Sequence, residues 1–200
     1  MQPRRGGDHR RGVRARRPIG ILAAISPASA FQGAPISYTS VLIAVLVGIA
    51  HAGLAPVIEV AGVRPNLVLV AVVLVTATSG FGTGVIWAFV AGLTANLLVL
   101  EPLGSLPLAL LLVSVLVAGI ERLIGRLVWI YPVLAAFLGS IVADAVSLGV
   151  FRLVDEPLDV GLPIQLILPA AVLNAAILGI FLYPARALAG RLGAEEKAAW

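Results

Sequence analysis

Few residues in this chain have side chains that do chemistry, and most of those few sit inside long apolar runs. Asp144 is the one acidic residue placed well inside such a run, with Ser140 and Ser147 on the same face at helical spacing. A charged group at membrane depth costs about 2.5–3.5 kcal/mol on insertion scales, so Asp144 should face a bundle interior or a cavity. Its functional use would be a proton or ligand site. Its structural use would be a protonated or hydrogen-bonded carboxyl that pins two helices. No Lys or Arg in a neighbouring run is placed to pair with it, which favours pinning. His51, Asn96 and Asn174 are the other candidate intramembrane polar residues. Together with Asp144 they could line one cavity, or they could make separate interhelical hydrogen bonds worth about 1 kcal/mol or less each.

No constellation resembles a catalytic machine. The two histidines are His9 and His51, and there is no H-E-x-x-H, no nucleophile elbow and no paired carboxylate set. The absence of cysteine excludes disulfides, zinc–thiolate sites and thiol catalysis. The run Gly80, Phe81, Gly82, Thr83 and Gly84 could be taken for a phosphate loop, but it lacks a preceding soluble strand and a lysine, so a tight turn is expected. No catalytic, cofactor or metal residue is assigned, and the chain is expected not to be an enzyme.

The elements that hold these residues follow from composition. Of 200 residues, 60% are hydrophobic and only 12% charged, with a mean hydropathy of +1.06. Soluble domains carry about 25% charged residues. This chain could not cover a soluble surface, whereas lipid needs no such cover. The net charge of +4 could suggest nucleic acid, but half of the fourteen cations are Arg4, Arg5, Arg10, Arg11, Arg14, Arg16 and Arg17. Such a block before the first long apolar run reads as an orientation signal and a contact for anionic lipid.

Residues 1–37 are therefore expected to be a disordered cytoplasmic arm. The stretch 19–30 has the layout of a secretory signal, but Pro27 interrupts its short apolar core; a start-site error upstream is another explanation for the arm. Apolar segments follow at 40–58, 65–79, 82–100, 106–123, 131–151 and 164–183. Most approach the roughly 20 residues that cross about 30 Å of hydrocarbon as helix. The second is short and needs thinning, little tilt or burial among its neighbours. With the arm inside, Arg122, Arg126, Arg186, Arg191 and Lys197 also fall inside, and only Arg64 and Arg152 fall outside. The bias alternates correctly over six crossings. The expected fold is an all-α integral membrane bundle of six transmembrane helices, N-in and C-in. It comprises a membrane domain at 38–185 and a short cytoplasmic tail at 186–200. Trp129, Tyr131 and Tyr183 are expected at the interfaces, and the acidic, Pro-punctuated stretch 152–163 is expected as the longest outer loop.

Small residues recur every four positions: Ala44, Gly48 and Ala52; Ala88 and Gly92; Ala135, Gly139 and Ala143; Ala171, Ala175 and Gly179. Each set shares a helix face where backbones can approach, within the chain or against a partner's helix. Gly48, Gly92, Gly139 and Gly179 are the candidate packing positions.

The stretch from Arg64 through Pro65, Asn66 and Leu67, the glycine-rich turn, the helix ending at Gly92 and Asn96, and the loop Glu101-Pro102-Leu103-Gly104 together resemble the MreD family. That family is the small multispanning component of the bacterial rod-shape-determining (elongasome) system. The motif residues are Pro65, Asn66, Gly92, Asn96, Pro102 and Gly104, within about a quarter of the chain. Asn66 and Asn96 depart from the family pattern, where Asp is usual; a role in charge would be lost, whereas a role in hydrogen bonding would be kept. The resemblance implies a non-enzymatic scaffold in the bacterial cytoplasmic membrane, without cofactor, with a fold similar to substrate-binding subunits of energy-coupling-factor transporters. Its implied partners are MreC, a single-span protein with a periplasmic β-rich domain, and the glycosyltransferase and transpeptidase of peptidoglycan synthesis. The alternative, suggested by the same fold, is a substrate-binding subunit of a vitamin-type transporter. Nucleic acid is not expected as a partner.

Overall fold

The computed structural model describes residues 38–60, 62–99, 101–124, 130–154 and 161–198, with side chains in the last stretch described over 165–187. The basic arm, the signal-like stretch 19–30, Arg126, Trp129 and the acidic residues Asp155, Glu156 and Asp159 lie outside the described residues, as do the side chains of Arg191 and Lys197.

The described residues form six helices: α1 (Tyr38–Leu54), α2 (Leu67–Ser79), α3 (Phe81–Leu98), α4 (Ser105–Ile124), α5 (Tyr131–Leu153) and α6 (Gly161–Ala198). Four of them, α3 to α6, are long and apolar enough to cross a membrane, while α1 and α2 are shorter apolar helices. The bundle is arranged around α2, which touches each of the other five. Around it α1 packs on α3, α3 on α4, α4 on α5 and α5 on α6. Among the described residues α1 and α6 do not meet.

The sequence of α2 explains its place. It is apolar on all sides, with Val68, Leu69, Val70, Val72, Val73 and Thr76 buried, and a helix of that kind belongs in an interior. At 13 residues it is only about 20 Å long. Hydrogen bonds fix its depth. At one end the Tyr131 hydroxyl, in the first turn of α5, donates to the Ala77 carbonyl at 3.1 Å. At the other end the Asn66 N–H donates to Asn174 Oδ1 of α6 at 2.8 Å. Asn174 Nδ2 in turn donates to Ser140 Oγ of α5 at 3.0 Å. Ser140 lies about 13 Å along α5 from Tyr131 at 1.5 Å per residue. The start of α2 is therefore level with the middle of α5 and α6, and the α1–α2 connection occupies the remaining depth.

That connection folds back on itself. Val60 and Val63 exchange backbone hydrogen bonds at 2.9 and 3.0 Å, with Gly62 at φ 79° supplying the left-handed residue the turn requires. Arg64 and Glu59 meet at 3.7 Å across its base, both exposed.

Several expectations need correction. α1 ends at Leu54 rather than near residue 58, because Ala55, Pro56 and Val57 turn out of the helix. α6 does not stop at Tyr183 but continues to Ala198 through Pro169 and Pro184; proline removes one helical hydrogen bond without forbidding continuation. Tyr131, expected at the interface, does stand in the first turn of α5, but its ring is turned into the bundle, 2% exposed, with its hydroxyl bonded to α2. Tyr183, 83% exposed, has the exposure of an interfacial residue. Gly84 is not a turn residue but lies in the first turns of α3, where a β-carbon would collide with the Thr76 side chain of α2.

Candidate functional site

Most of the polar residues that join one element to another inside the bundle fall into two constructions and an open cavity. The first is the ladder already described, Asn66–Asn174–Ser140. The Asn66 side chain caps α2 by accepting from the Leu69 N–H at 3.0 Å, satisfying a donor the first turn leaves without a helical partner. Asn66 thus spends its side chain on its own helix and its backbone N–H on α6. Pro65, fully buried, fixes the approach to this cap.

The second construction closes the α3–α4 connection. Asn96, 1% exposed, accepts from the Gly104 N–H through Oδ1 at 2.6 Å. Gly104 has φ 91°, a conformation that side-chain-bearing residues rarely adopt. Ser105 N–H donates to the Pro102 carbonyl at 3.1 Å, and the tight turn launches α4. Asn96 Nδ2 and Ser105 Oγ are buried without a hydrogen-bond partner among the described residues. Both Asn66 and Asn96 act through a side-chain oxygen acceptor, the atom an Asp would also offer.

The cavity lies beyond the start of α2, walled by α5, α6 and the α1–α2 connection, with a volume of about 480 Å³. Asp144 and Ser147 line it from α5, with Arg64 and Glu59 from the connection and Phe151 and Leu166 among its apolar walls. The Asp144 carboxylate makes no hydrogen bond or ion pair among the described residues. The charge of Glu101, in the α3–α4 connection, reaches it. Burial holds the Glu101 carboxyl above its ordinary value. Val63 forms part of this cavity and also of a second, almost wholly apolar groove of about 430 Å³ along Leu168, Val172 and Ala176 of α6.

The four candidate polar residues therefore do not share one cavity. Only Asp144 lines it. Asn174 is bonded within the ladder, Asn96 is bonded to the α3–α4 turn, and His51, half-buried near the end of α1, leaves Nδ1 without a partner among the described residues. Among the described residues no group of three or more His, Asp or Glu is placed to hold a metal ion.

Of the packing glycines, Gly48 lies against the α3 backbone, where a β-carbon would come within 2.7 Å of the Ala91 carbonyl oxygen. Gly92 faces Pro107 Cα of α4 at 2.9 Å and Gly139 faces Val113 Cγ1 of α4 at 3.0 Å by the same measure. Among the described residues Gly179 has only Val133, at 4.0 Å.

A family profile described as rod shape-determining protein MreD matches residues 32–190, well over half of the chain. The chain belongs to the MreD family. It is therefore a rod-shape-determining membrane protein. No curated protein and no solved structure matches it. The positions that carried the resemblance in the sequence fall on the two constructions above: Pro65 and Asn66 stand at the start of the central helix, while Gly92, Asn96, Pro102 and Gly104 lie where α3 joins α4.

Nothing in the amino-acid order marks Arg64 and Glu59 as cavity residues, Ser105 as part of the turn, or the Trp87 Nε1 bond to Ser40 Oγ at 2.8 Å that ties α3 to α1. Arg64 stands out only as one of two cations expected on its side of the membrane.

Proposed function

We propose that this MreD-family protein is a six-pass, non-enzymatic scaffold of the bacterial cell-elongation machinery in the cytoplasmic membrane, with both termini in the cytoplasm. Its partners in this reading are an MreC-like single-span protein and the glycosyltransferase and transpeptidase that build peptidoglycan. The observation that carries it is the family match across residues 32–190. The short α2 fits a six-span arrangement because it is enclosed by the other helices, so its length need not match the bilayer. The distribution of cations supports the orientation: Arg122 and Arg186 stand at one end of the bundle, Arg64 and Arg152 at the other. The arm at residues 1–37 serves as the cytoplasmic anchor, with anionic lipids as its contact. Residues 38–185 form the membrane domain, and 186–200 form the tail.

Co-expression with MreC should raise the yield of folded protein, and the two should co-purify in detergent. A folded, monodisperse chain that never retains MreC would overturn the scaffold reading. Reporter fusions at Met1 and Trp200 should both report the cytoplasm. The vitamin-transporter alternative has one observation in its favour, the cavity at Asp144.

A further inference from the structure

The cavity beside the start of α2 is a product of the fold, since the α1–α2 connection that forms one wall is about 80 residues or more before the α5 and α6 walls. Its volume of about 480 Å³ falls within the roughly 300–1,000 Å³ of small-ligand sites. Three features of its charge decide what would fit. Asp144 has no hydrogen-bonding or ionic partner among the described residues, although a carboxylate at such depth is normally paired. Glu101 adds negative potential from the neighbouring connection. The cation lining the cavity, Arg64, is engaged with Glu59 at 3.7 Å in an exposed pair, a contact weak enough to be exchanged for a better anion.

We propose that the cavity binds a zwitterionic ammonium phosphate group, with the ammonium at Asp144 and Ser147 and the phosphate at Arg64. Ammonium supplies the positive donors that the Asp144 carboxylate and Ser147 hydroxyl can accept. Phosphate matches the fork of a guanidinium. Phe151 and Leu166 suit the carbon atoms between and beyond the two charges. The apolar groove that shares Val63 with this cavity, with Leu168 and Val172 along α6, offers a course for an acyl chain. That makes an aminophospholipid headgroup the favoured source over a free phosphoethanolamine-type solute. The inference is independent of any role in cell elongation and needs only a membrane-embedded chain.

The test uses the full-length protein purified in detergent. Its thermal unfolding would be followed with added phosphatidylethanolamine, with phosphatidylglycerol of the same acyl composition, and with free phosphoethanolamine. Phosphatidylethanolamine should raise Tm in a dose-dependent way, and phosphatidylglycerol should raise it much less. Asp144→Asn should abolish the difference between the two lipids. Ala170→Trp, which fills the cavity from α6 without altering a charge, should do the same and serves if the Asp144 variant does not fold. An equal shift from free phosphoethanolamine, also dependent on Asp144, would keep the site and assign it to a soluble ligand. Equal shifts from both lipids, no shift from either lipid or the solute, or an undiminished lipid difference in both variants would overturn the proposal.

Discussion

The two sides of the bundle are held together in different ways. On the α1–α3–α4 side, glycine lets backbones touch: Gly48 against Ala91, and Gly92 against Pro107. Buried Ala44, Ala88, Ala91, Ala95 and Ala109 fill the seam between them. On the α5–α6 side, facing the α1–α2 connection, the walls carry larger and charged side chains. They leave about 480 Å³ unfilled, and the contact nearest the centre is a ladder of amides and a hydroxyl. Without a hydrophobic force between helices in lipid, close van der Waals packing and interhelical hydrogen bonds are the two means of holding a bundle. Close packing dominates the first side, where the Trp87–Ser40 bond adds to it, and hydrogen bonds dominate the second. The packed side is rigidly specified, and the open side retains space and charge.

The sharpest way to break this contrast is to overfill the packed side. Gly48→Ala and Gly92→Ala each place a methyl group against backbone atoms of a neighbouring helix, which cannot rotate away. Each should destabilise the folded chain by about 1–3 kcal/mol, and Gly48→Leu should prevent recovery of a monodisperse species. Thermal unfolding in detergent reads the effect. If both alanine variants unfold at the wild-type temperature, the close helix crossings do not carry the stability assigned to them.

The open side depends instead on Asn174. Asn174→Leu leaves the Asn66 N–H and Ser140 Oγ without their partners, at an expected cost of about 1–2 kcal/mol. Ser140→Ala removes only the second bond and should cost less. Equal losses from the two variants would show that the Asn66 contact contributes little to anchoring the central helix.

These two sides were not equally legible in the amino-acid order. The spacing of Gly48, Gly92 and Gly139 pointed to close packing because a helix repeats its face every three to four residues, and all three are buried. The shortness of the second apolar segment left burial among its neighbours as one of three options beside thinning and little tilt, and α2 is enclosed by the other helices. The ladder was not readable, because Asn66 and Asn174 are 108 residues apart and meet only once α6 has been laid against the start of α2. The burial of Tyr131 escaped for the same reason: an aromatic residue at a helix end looks interfacial until the Ala77 carbonyl is known to face it. Asp144 was readable as an oddity and its neighbours were not, since Arg64 and Glu59 reach its cavity through a backbone turn around Gly62.

Gly179 sharpens the comparison from the other direction. It has the same four-residue spacing as the others, yet it is exposed and a β-carbon there meets, among the described residues, only Val133 at ordinary contact distance. Gly179→Ala should therefore cost nothing and could gain up to about 0.5–1 kcal/mol from reduced backbone freedom in the unfolded chain. A loss as large as that of Gly48→Ala would mean that α6 packs on a surface absent from the described fold.

The smallest expected effect concerns charge on the open side. Glu101 is half-buried at the α3–α4 connection, and burial raises its carboxyl above the ordinary value of 4.5, within reach of the charge on Asp144. A raised folded-state value means that the fold prefers the protonated acid. Its contribution to stability is fully present below the ordinary carboxylate range and is lost as pH rises through the folded-state value. Wild-type Tm should therefore fall with rising pH in the window just above 4.5, and Glu101→Gln, which stays neutral, should show a shallower fall there. The change should be modest, because solvent still reaches the side chain and screens it. Parallel curves for the two proteins would show that Glu101 is effectively solvated, and the negative potential ascribed to the cavity would then rest on Asp144 and Glu59 alone.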